Sequence, residues 1–190
     1  GFGHVGRHIV CPYHAWSYAR DGALKGIPHN EVIVVERDDH HLVTFQVEEW
    51  LGFVFVNLAS VPAALSSRLE GMGRYLEVFE PGNLTHVSSG GTTVWQANWK
   101  LVMENAMESY HLFKVHRDTL ERYSPTKEAY YLAGSSQWSL TGGATRRGKG
   151  VMERMFGASG PAALDHYVLV SIPPTFVGVL TYGSFGWLSA

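Results

Sequence analysis

The sequence predicts an α+β fold, in which a small antiparallel β domain precedes a domain built from helices and further antiparallel strands. Two strand-like runs, 41–49 and 50–58, follow each other closely in the first third of the chain. Residues 98–116 have helical periodicity and contain no Gly or Pro. Two more strands, 166–172 and 176–182, surround Pro-Pro, and a curved antiparallel sheet held by helices suits them.

Composition excludes several classes of protein. The chain has 190 residues, of which 45% are hydrophobic, and a formal net charge of -2, so nothing indicates a nucleic acid or an anionic membrane as a partner. Its one cysteine rules out an internal disulfide and fits a reducing compartment, which predicts a cytoplasmic protein. No apolar run approaches the ~20 residues of a membrane span.

The first domain is expected to end with three strands. Residues 31–37 (EVIVVER) are rich in β-branched side chains and predict a strand, and 38–40 predict a turn. Residues 41–49 alternate between apolar and polar side chains, which is typical of a second strand. The continuous apolar run within 50–58 predicts a third, buried strand.

The second domain is expected to begin after a short Pro-containing connector, 59–64. Apolar residues then recur at helical spacing over 65–79, which predicts one amphipathic helix. Strands are predicted at 92–96 and 130–140. Between them and the final strands, the glycine-rich and basic segment 141–160 predicts a mobile, solvated loop.

The predicted helix over 98–116 carries the residues with the strongest chemical signal. One stripe of it is apolar: Trp99, Met103, Ala106, Tyr110 and Phe113. Glu104, Glu108 and His111 stack on a neighbouring face. His111 and His116 could bind one metal through neutral imidazoles. Five residues of regular helix rotate a side chain by roughly 140°, so this requires the helix to end or bulge between them. Two unrelated histidines are the alternative.

The string Cys11-Pro12-Tyr13-His14 places a thiol three residues before an imidazole on a tight loop. A thiolate and an imidazole are the mixed ligands of a Rieske-type [2Fe–2S] centre, in which two histidines replace two cysteines on one iron. A complete centre also needs a Cys-x-His pair earlier in the chain. Only the second half of the ligand set is present.

Three strings in order, CPYHAWSYARDGALKGIP, WLGFVFVNLA and NWKLVMENAMESYHLFKVH, resemble the α subunits of Rieske-type non-heme iron oxygenases over essentially the whole chain. The resemblance implies that Cys11 and His14 are cluster ligands, and that His111 and His116 belong to a 2-His-1-carboxylate iron site. It also implies that Glu108 bridges the two metal centres. Asn105 matches a family asparagine near the iron and is assigned a polar supporting role.

The same resemblance implies the domain identities. Residues 1–58 would be the C-terminal part of a Rieske [2Fe–2S] domain, and 59–190 the N-terminal part of a helix-grip catalytic domain. We expect a fragment of a longer protein. The missing Cys-x-His pair would lie before Gly1, and the third iron ligand, an aspartate, beyond Ala190.

The implied activity is hydroxylation of a small organic substrate with O₂, using electrons from NAD(P)H that pass through a separate reductase or ferredoxin. The resemblance also implies a homotrimer, alone or with a β subunit. In that trimer His14 of one chain would hydrogen-bond Glu108 of the next, and Glu108 would hydrogen-bond His111. Glutamate rather than aspartate at the bridge resembles the branch that oxidises quaternary ammonium compounds, whereas aromatic-ring hydroxylation is the broader family activity. The alternative class is a non-catalytic relative or a protein with structural zinc.

Overall fold

A computed structural model describes residues 3–32, 34–88, 90–146, 165–181 and 183–189. The chain divides into two compact units, Gly1–Pro62 and Ala63–Ala190. Both contain antiparallel sheet and the second also contains α-helices, so the predicted α+β class is confirmed. The assignment of 1–58 and 59–190 to two named domains stays a prediction.

The first unit contains a three-stranded sheet and a separate hairpin. The sheet has the order β1 (His8–Val10), β2 (Ser17–Ala19), β3 (Leu24–Gly26), and the hairpin joins β4 (Gln46–Trp50) to β5 (Phe53–Asn57). All pairs are antiparallel. The first three strands have three residues each, which is too short for side-chain alternation to reveal them in the sequence.

Two of the predicted strands in this unit need correction. The described residues of 31–37 form no strand, and a 3₁₀ turn, Arg37–His40, follows them. Val32 and Val34 are 87% and 90% exposed. Because no neighbouring strand pairs with them, their β propensity does not produce a strand. The second predicted strand begins at Gln46 rather than at 41, and β5 alternates between half-buried and exposed residues instead of being buried.

The second unit is organised around a five-stranded antiparallel meander. Its strands are β6 (Ala129–Gly134), β7 (Ser139–Ala144), β8 (His166–Ile172), β9 (Phe176–Thr181) and β10 (Ser184–Ser189), and each pairs with its neighbour in sequence. Strands β8 and β9 agree with the strands predicted at 166–172 and 176–182. The strand predicted over 130–140 is instead a hairpin that turns after Gly134. The segment predicted as a mobile loop, 141–160, lies largely outside the described residues, and its first part belongs to β7.

The predicted helix over 65–79 is interrupted. It consists of α1 (Leu65–Arg68), α2 (Gly73–Leu76) and a 3₁₀ turn, Glu77–Phe79, with Gly71 at φ +77° between the two helices. Left-handed backbone cannot continue a right-handed helix. The apolar stripe is nevertheless buried, as predicted, through Leu69, Met72, Leu76 and Phe79. A second 3₁₀ turn, Pro81–Asn83, follows.

Three further helices complete the unit. They are α3 (Trp99–Met107), α4 (Leu112–Val115) and α5 (Leu120–Tyr123), followed by a 3₁₀ turn, Thr126–Glu128. The strand predicted at 92–96 is absent, since these residues have no regular structure. The Asn98 side chain accepts a hydrogen bond from the Lys100 amide (3.0 Å) and thereby caps α3. Helix α3 lies against β8 and β9.

Within the parts of the chain that the structure describes, no helix has the length and apolar character needed to cross a membrane.

A glycine allows the buried ring of Tyr167 to lie across β7. Gly143 is the register partner of Tyr167, and a Cβ on Gly143 would lie 2.7 Å from its hydroxyl oxygen. We expect Gly143→Ala to destabilise the protein by about 1–3 kcal/mol, because the ring must move out of a packed position. Urea unfolding followed by tryptophan fluorescence measures this. Gly186→Ala is the matched control, because its Cβ would meet only Val179, at 3.4 Å. Equal stability of the two variants would contradict the prediction.

Candidate functional site

The predicted helix over 98–116 is broken just before its first histidine. Helix α3 ends at Met107, Glu108 is extended (φ -108°, ψ 144°), and α4 begins after His111. The break before His111 is therefore additional to the helix end that the sequence analysis required between the two histidines. As expected, α4 ends at Val115, and His116 (φ -110°, ψ 27°) departs from helical geometry. Glu104, Glu108 and His111 do not share one helical face, which corrects the sequence-based stacking.

Side chains from later in the chain stabilise this break. The Thr141 hydroxyl donates to the carbonyl of Met107 (3.0 Å), and the Thr126 hydroxyl donates to that of Ser109 (3.0 Å). The Ser109 and Tyr167 hydroxyls form a hydrogen bond of 3.2 Å. Backbone carbonyls at the end of a helix have no partner in the next turn. The two threonine hydroxyls therefore supply hydrogen bonds to backbone carbonyls at and just after the point where the helix ends.

The break places the two histidines side by side. The rings of His111 and His116 have centroids 5.2 Å apart and planes inclined by 67°. The single turn of α4 between them supplies this geometry, because the His116 amide donates to the Leu112 carbonyl and closes the turn (3.0 Å). The spacing that sequence reasoning left ambiguous is therefore one that brings both imidazoles to the same place.

Glu108 fixes the orientation of His111. One carboxylate oxygen lies within hydrogen-bonding distance of His111 Nδ1, and the other accepts from the His111 amide (3.2 Å). Burial raises the pKa of Glu108, but the hydrogen bonds and charge of His111 outweigh it, so the pKa lies below its ordinary value. An ionised carboxylate only accepts hydrogen bonds. In the neutral imidazole that binds metals, Nδ1 of His111 would then carry the proton toward Glu108, and Nε2 would have the lone pair.

A cavity of about 590 Å³ lies beside these residues. Asn105, Glu108, Ser109, His111, His116 and Tyr167 supply polar groups to its wall, and most of the remaining lining is apolar, including Trp95, Leu101 and Leu169. Asn105, which was assigned a supporting role, therefore shares the cavity with both histidines. Tyr110 is 76% exposed and does not line it.

Sequence reasoning missed Ser109 and Tyr167. Burial raises the pKa of the Tyr167 phenol above its ordinary value, although the hydrogen bond with Ser109 acts in the opposite direction. The phenol is therefore neutral and keeps its proton near neutral pH. In the sequence Tyr167 is one aromatic residue among many in a strand, and no local pattern separates it from ordinary core residues.

The Cys11–His14 string forms the tip of the β1–β2 hairpin in the first unit. The Cys11 amide donates to the Trp16 carbonyl (2.8 Å), and the Ala15 amide donates to the Cys11 carbonyl (3.0 Å). Ala15 adopts a left-handed conformation at φ +57°. His14 is exposed, and its ring contacts that of Tyr13 at 3.8 Å between centroids. The loop therefore holds the thiol and the imidazole at one exposed turn.

The two donor sets fit the groups that the sequence implies. Hydrogen bonds from the backbone of Tyr13 and then His14 lower the pKa of the Cys11 thiol below its ordinary value, and a thiolate is the form that binds iron. His111 offers a free Nε2 beside His116. In the described residues no group of three or more His, Cys, Asp or Glu side chains could hold a metal. Each set would supply two ligands to the group that the sequence implies.

Two protein families match consecutive parts of the chain. Residues 1–46 match the family described as the Rieske [2Fe-2S] domain. Residues 76–168 match the family described as the ring hydroxylating alpha subunit (catalytic domain). The first match contains the Cys11 loop, and the second contains the break at Glu108 and both histidines.

Individual relatives agree with these families. The chain is 38% identical over 112 residues to the glycine betaine monooxygenase oxygenase subunit of Chromohalobacter salexigens. That match covers 59% of this chain and 25% of that protein. It is 30% identical over 142 residues to the carnitine monooxygenase oxygenase subunit of Escherichia coli K12. That match covers 74% of this chain and 37% of that protein. The chain thus spans well under half the length of these relatives. A solved quaternary ammonium Rieske monooxygenase superposes with a TM-score of 0.73 at 22% identity, over 97% of this chain and 52% of that one.

The Ser109–Tyr167 contact yields a test of how the break is stabilised. We expect a double-mutant cycle of Ser109→Ala and Tyr167→Phe to show a coupling free energy of about 0.5–1.5 kcal/mol, because each substitution removes the same hydrogen bond. Urea unfolding of the four proteins measures it. Additive effects of the two substitutions would show that the hydroxyls do not stabilise each other.

Proposed function

Because the chain belongs to the α subunits of Rieske-type non-heme iron oxygenases, we propose that it carries parts of both metal centres of a terminal oxygenase. The Glu108–His111–His116 arrangement beside a cavity is the observation that carries this proposal. An oriented pair of imidazoles next to an apolar cavity suits chemistry on a small organic substrate. A structural zinc site would instead be closed by four protein ligands.

Cys11 and His14 would supply two of the four protein ligands of a [2Fe–2S] cluster. The backbone hydrogen bonds that lower the Cys11 pKa also bring N–H groups to the sulfur, and such contacts tune the potential of an iron–sulfur centre. The exposure of His14 leaves its ring accessible to an electron-transfer partner. The electrons would come from NAD(P)H through a separate reductase or ferredoxin. The single cysteine of the chain is consistent with work in the cytoplasm.

His111 and His116 would hold a mononuclear Fe²⁺, together with a carboxylate from elsewhere in the full-length protein. When bound, the iron supplies the activation of O₂ for substrate oxidation. Glu108 keeps the proton of His111 on Nδ1 and so directs Nε2 toward the metal. Asn105 supplies a polar amide in the same cavity wall. The apolar remainder of the wall excludes water from the substrate.

Glu108 would also connect one chain to the next. Its side chain is 45% exposed although it is hydrogen-bonded to His111. Each carboxylate oxygen has two lone pairs, so Glu108 can accept a further hydrogen bond from outside. A homotrimer, with or without β subunits, would supply that donor as His14 of the neighbouring chain.

The substrate class we favour is a small quaternary ammonium compound, in which hydroxylation of a methyl group leads to demethylation. Both relatives named above are quaternary ammonium monooxygenase subunits. Trp95 and Tyr167 line the cavity, and aromatic faces attract such cations.

Aromatic-ring hydroxylation is the second candidate, favoured by the largely apolar lining of the cavity and by the ring hydroxylating family match.

Replacing the bridging carboxylate tests the proposed role of Glu108. In the full-length protein we expect Glu108→Gln to retain the cluster and the iron but to lose about 10- to 100-fold in substrate-coupled O₂ consumption, because the amide has no charge with which to connect the two centres. Metal content and oxygen uptake measure this. Glu104→Gln is the matched control, because Glu104 is an exposed acid on α3. Turnover like that of the wild type in Glu108→Gln would contradict the role.

The substrate class can be tested with matched compounds. We expect glycine betaine or carnitine to stimulate oxygen uptake, and 3,3-dimethylbutanoate, which has the shape of betaine without its cation, to stimulate little, because cation–π attraction requires the positive charge. Benzoate tests the second candidate. If the analogue without the cationic group were consumed as fast as betaine, recognition of a cation would be wrong. Preferential turnover of benzoate would favour ring hydroxylation.

A further inference from the structure

We propose that Thr126, together with Glu121, is a positioning residue that holds His111 and His116 in their mutual arrangement for the iron. This inference rests on the proposed function, since it concerns the same metal site. Neither residue lines the cavity, so their effect on the iron would pass through the backbone that carries the histidines.

Thr126 joins the backbone on both sides of His111. Its hydroxyl accepts a hydrogen bond from the Phe113 amide (3.1 Å), two residues after the histidine. The hydroxyl proton lies within reach of the Ser109 carbonyl (3.0 Å), two residues before it, and of the Glu121 carboxylate (2.7 Å). One side chain therefore bridges the entry and exit of the turn that presents His111.

Glu121 joins this bridge to His116. Its carboxylate accepts from the Thr126 amide (2.9 Å) and shares the Thr126 hydroxyl proton with the Ser109 carbonyl. Its own amide donates to the carbonyl of His116 (3.0 Å), and that carbonyl also accepts from the Thr119 amide (3.1 Å). Hydrogen bonds thus connect Ser109 and Phe113, on either side of His111, through Thr126 and Glu121 to the backbone of His116.

The short helix between the histidines explains why such a bridge is needed. Helix α4 contains four residues, Leu112–Val115. One helical turn is not stable by itself, because fixing its backbone costs more free energy than its few hydrogen bonds return. Residues outside the turn must therefore fix the separation of the two rings. Thr126 and Glu121 contact both flanks of this turn.

The test compares substitutions at Thr126 in the full-length, cluster-loaded protein from which mononuclear iron has been removed. Fe²⁺ titration measures the dissociation constant. We expect Thr126→Val, which keeps the shape but loses the hydroxyl, to weaken Fe²⁺ binding about tenfold, the lower end of effects seen for groups that orient metal ligands. Thr126→Ser, which keeps the hydroxyl, should restore affinity close to that of the wild type.

A merely structural role would give a different result. Thr181→Val removes another buried hydroxyl of the same unit, which contacts Ser184 (3.0 Å). It should lower the unfolding temperature without changing Fe²⁺ affinity. If Thr126→Val does not fold, as judged by the cluster absorption, Thr126→Ala removes the same hydroxyl without placing a methyl group against the Ser109 carbonyl.

His111→Ala separates the two levels of the proposal. If it abolishes Fe²⁺ binding while neither Thr126→Val nor Thr126→Ala weakens it, the positioning role is overturned and the proposed iron site stands. If His111→Ala leaves Fe²⁺ binding unchanged, the iron site and the positioning role are both overturned.

Discussion

The termination of helix α3 at Met107 is the constraint on which the rest of the second unit depends. A helix that stops inside a protein leaves carbonyl groups that need new partners. Here Thr141 from the sheet binds the carbonyl of Met107, the last helical residue, and Thr126 binds the carbonyl of Ser109 just beyond it. Because these donors are fixed in other elements, the helix ends at one position, and the residues after it are directed out of the helical path. The side chains proposed to bind iron, His111 and His116, lie in that redirected segment.

Electrostatics and backbone geometry act together at this point. Glu108 is extended rather than helical, and this conformation allows one carboxylate to contact both the ring and the amide of His111. Had the helix continued, the His111 amide would have bonded to the carbonyl of Met107 instead. At the break, the His111 amide therefore donates to the charged carboxylate of Glu108 instead of to a helical carbonyl. That acceptor sets which nitrogen of His111 is free.

The candidate site residues could be named from the sequence more readily than the backbone that positions them. The spacing of His111 and His116 left two unrelated histidines as an alternative, and the family resemblance implied the roles of Glu108, His111, His116 and the Cys11 loop. The structure brings Glu108, His111 and His116 together. The helix break could not be predicted, because the groups that compete with the helix lie far along the chain. Ser109 forms hydrogen bonds with Thr126, 17 residues away in the sequence, and with Tyr167, 58 residues away. The hydrogen bond between Met107 and Thr141 joins residues 34 positions apart. The strand wrongly predicted at 31–37 has the same cause, since β propensity does not reveal whether a partner strand exists.

The meander order of the second sheet has a consequence for the sequence of events in folding. Every strand from β6 to β10 pairs with its neighbour along the chain, so most of its hairpins close over short loops at small entropic cost. The contacts that terminate α3 instead join residues separated by up to 58 positions. Local hairpins form faster than contacts of that span. The sheet would therefore assemble first and act as a template on which the end of the helix is shaped, so that the mutual arrangement of His111 and His116 would form late in folding.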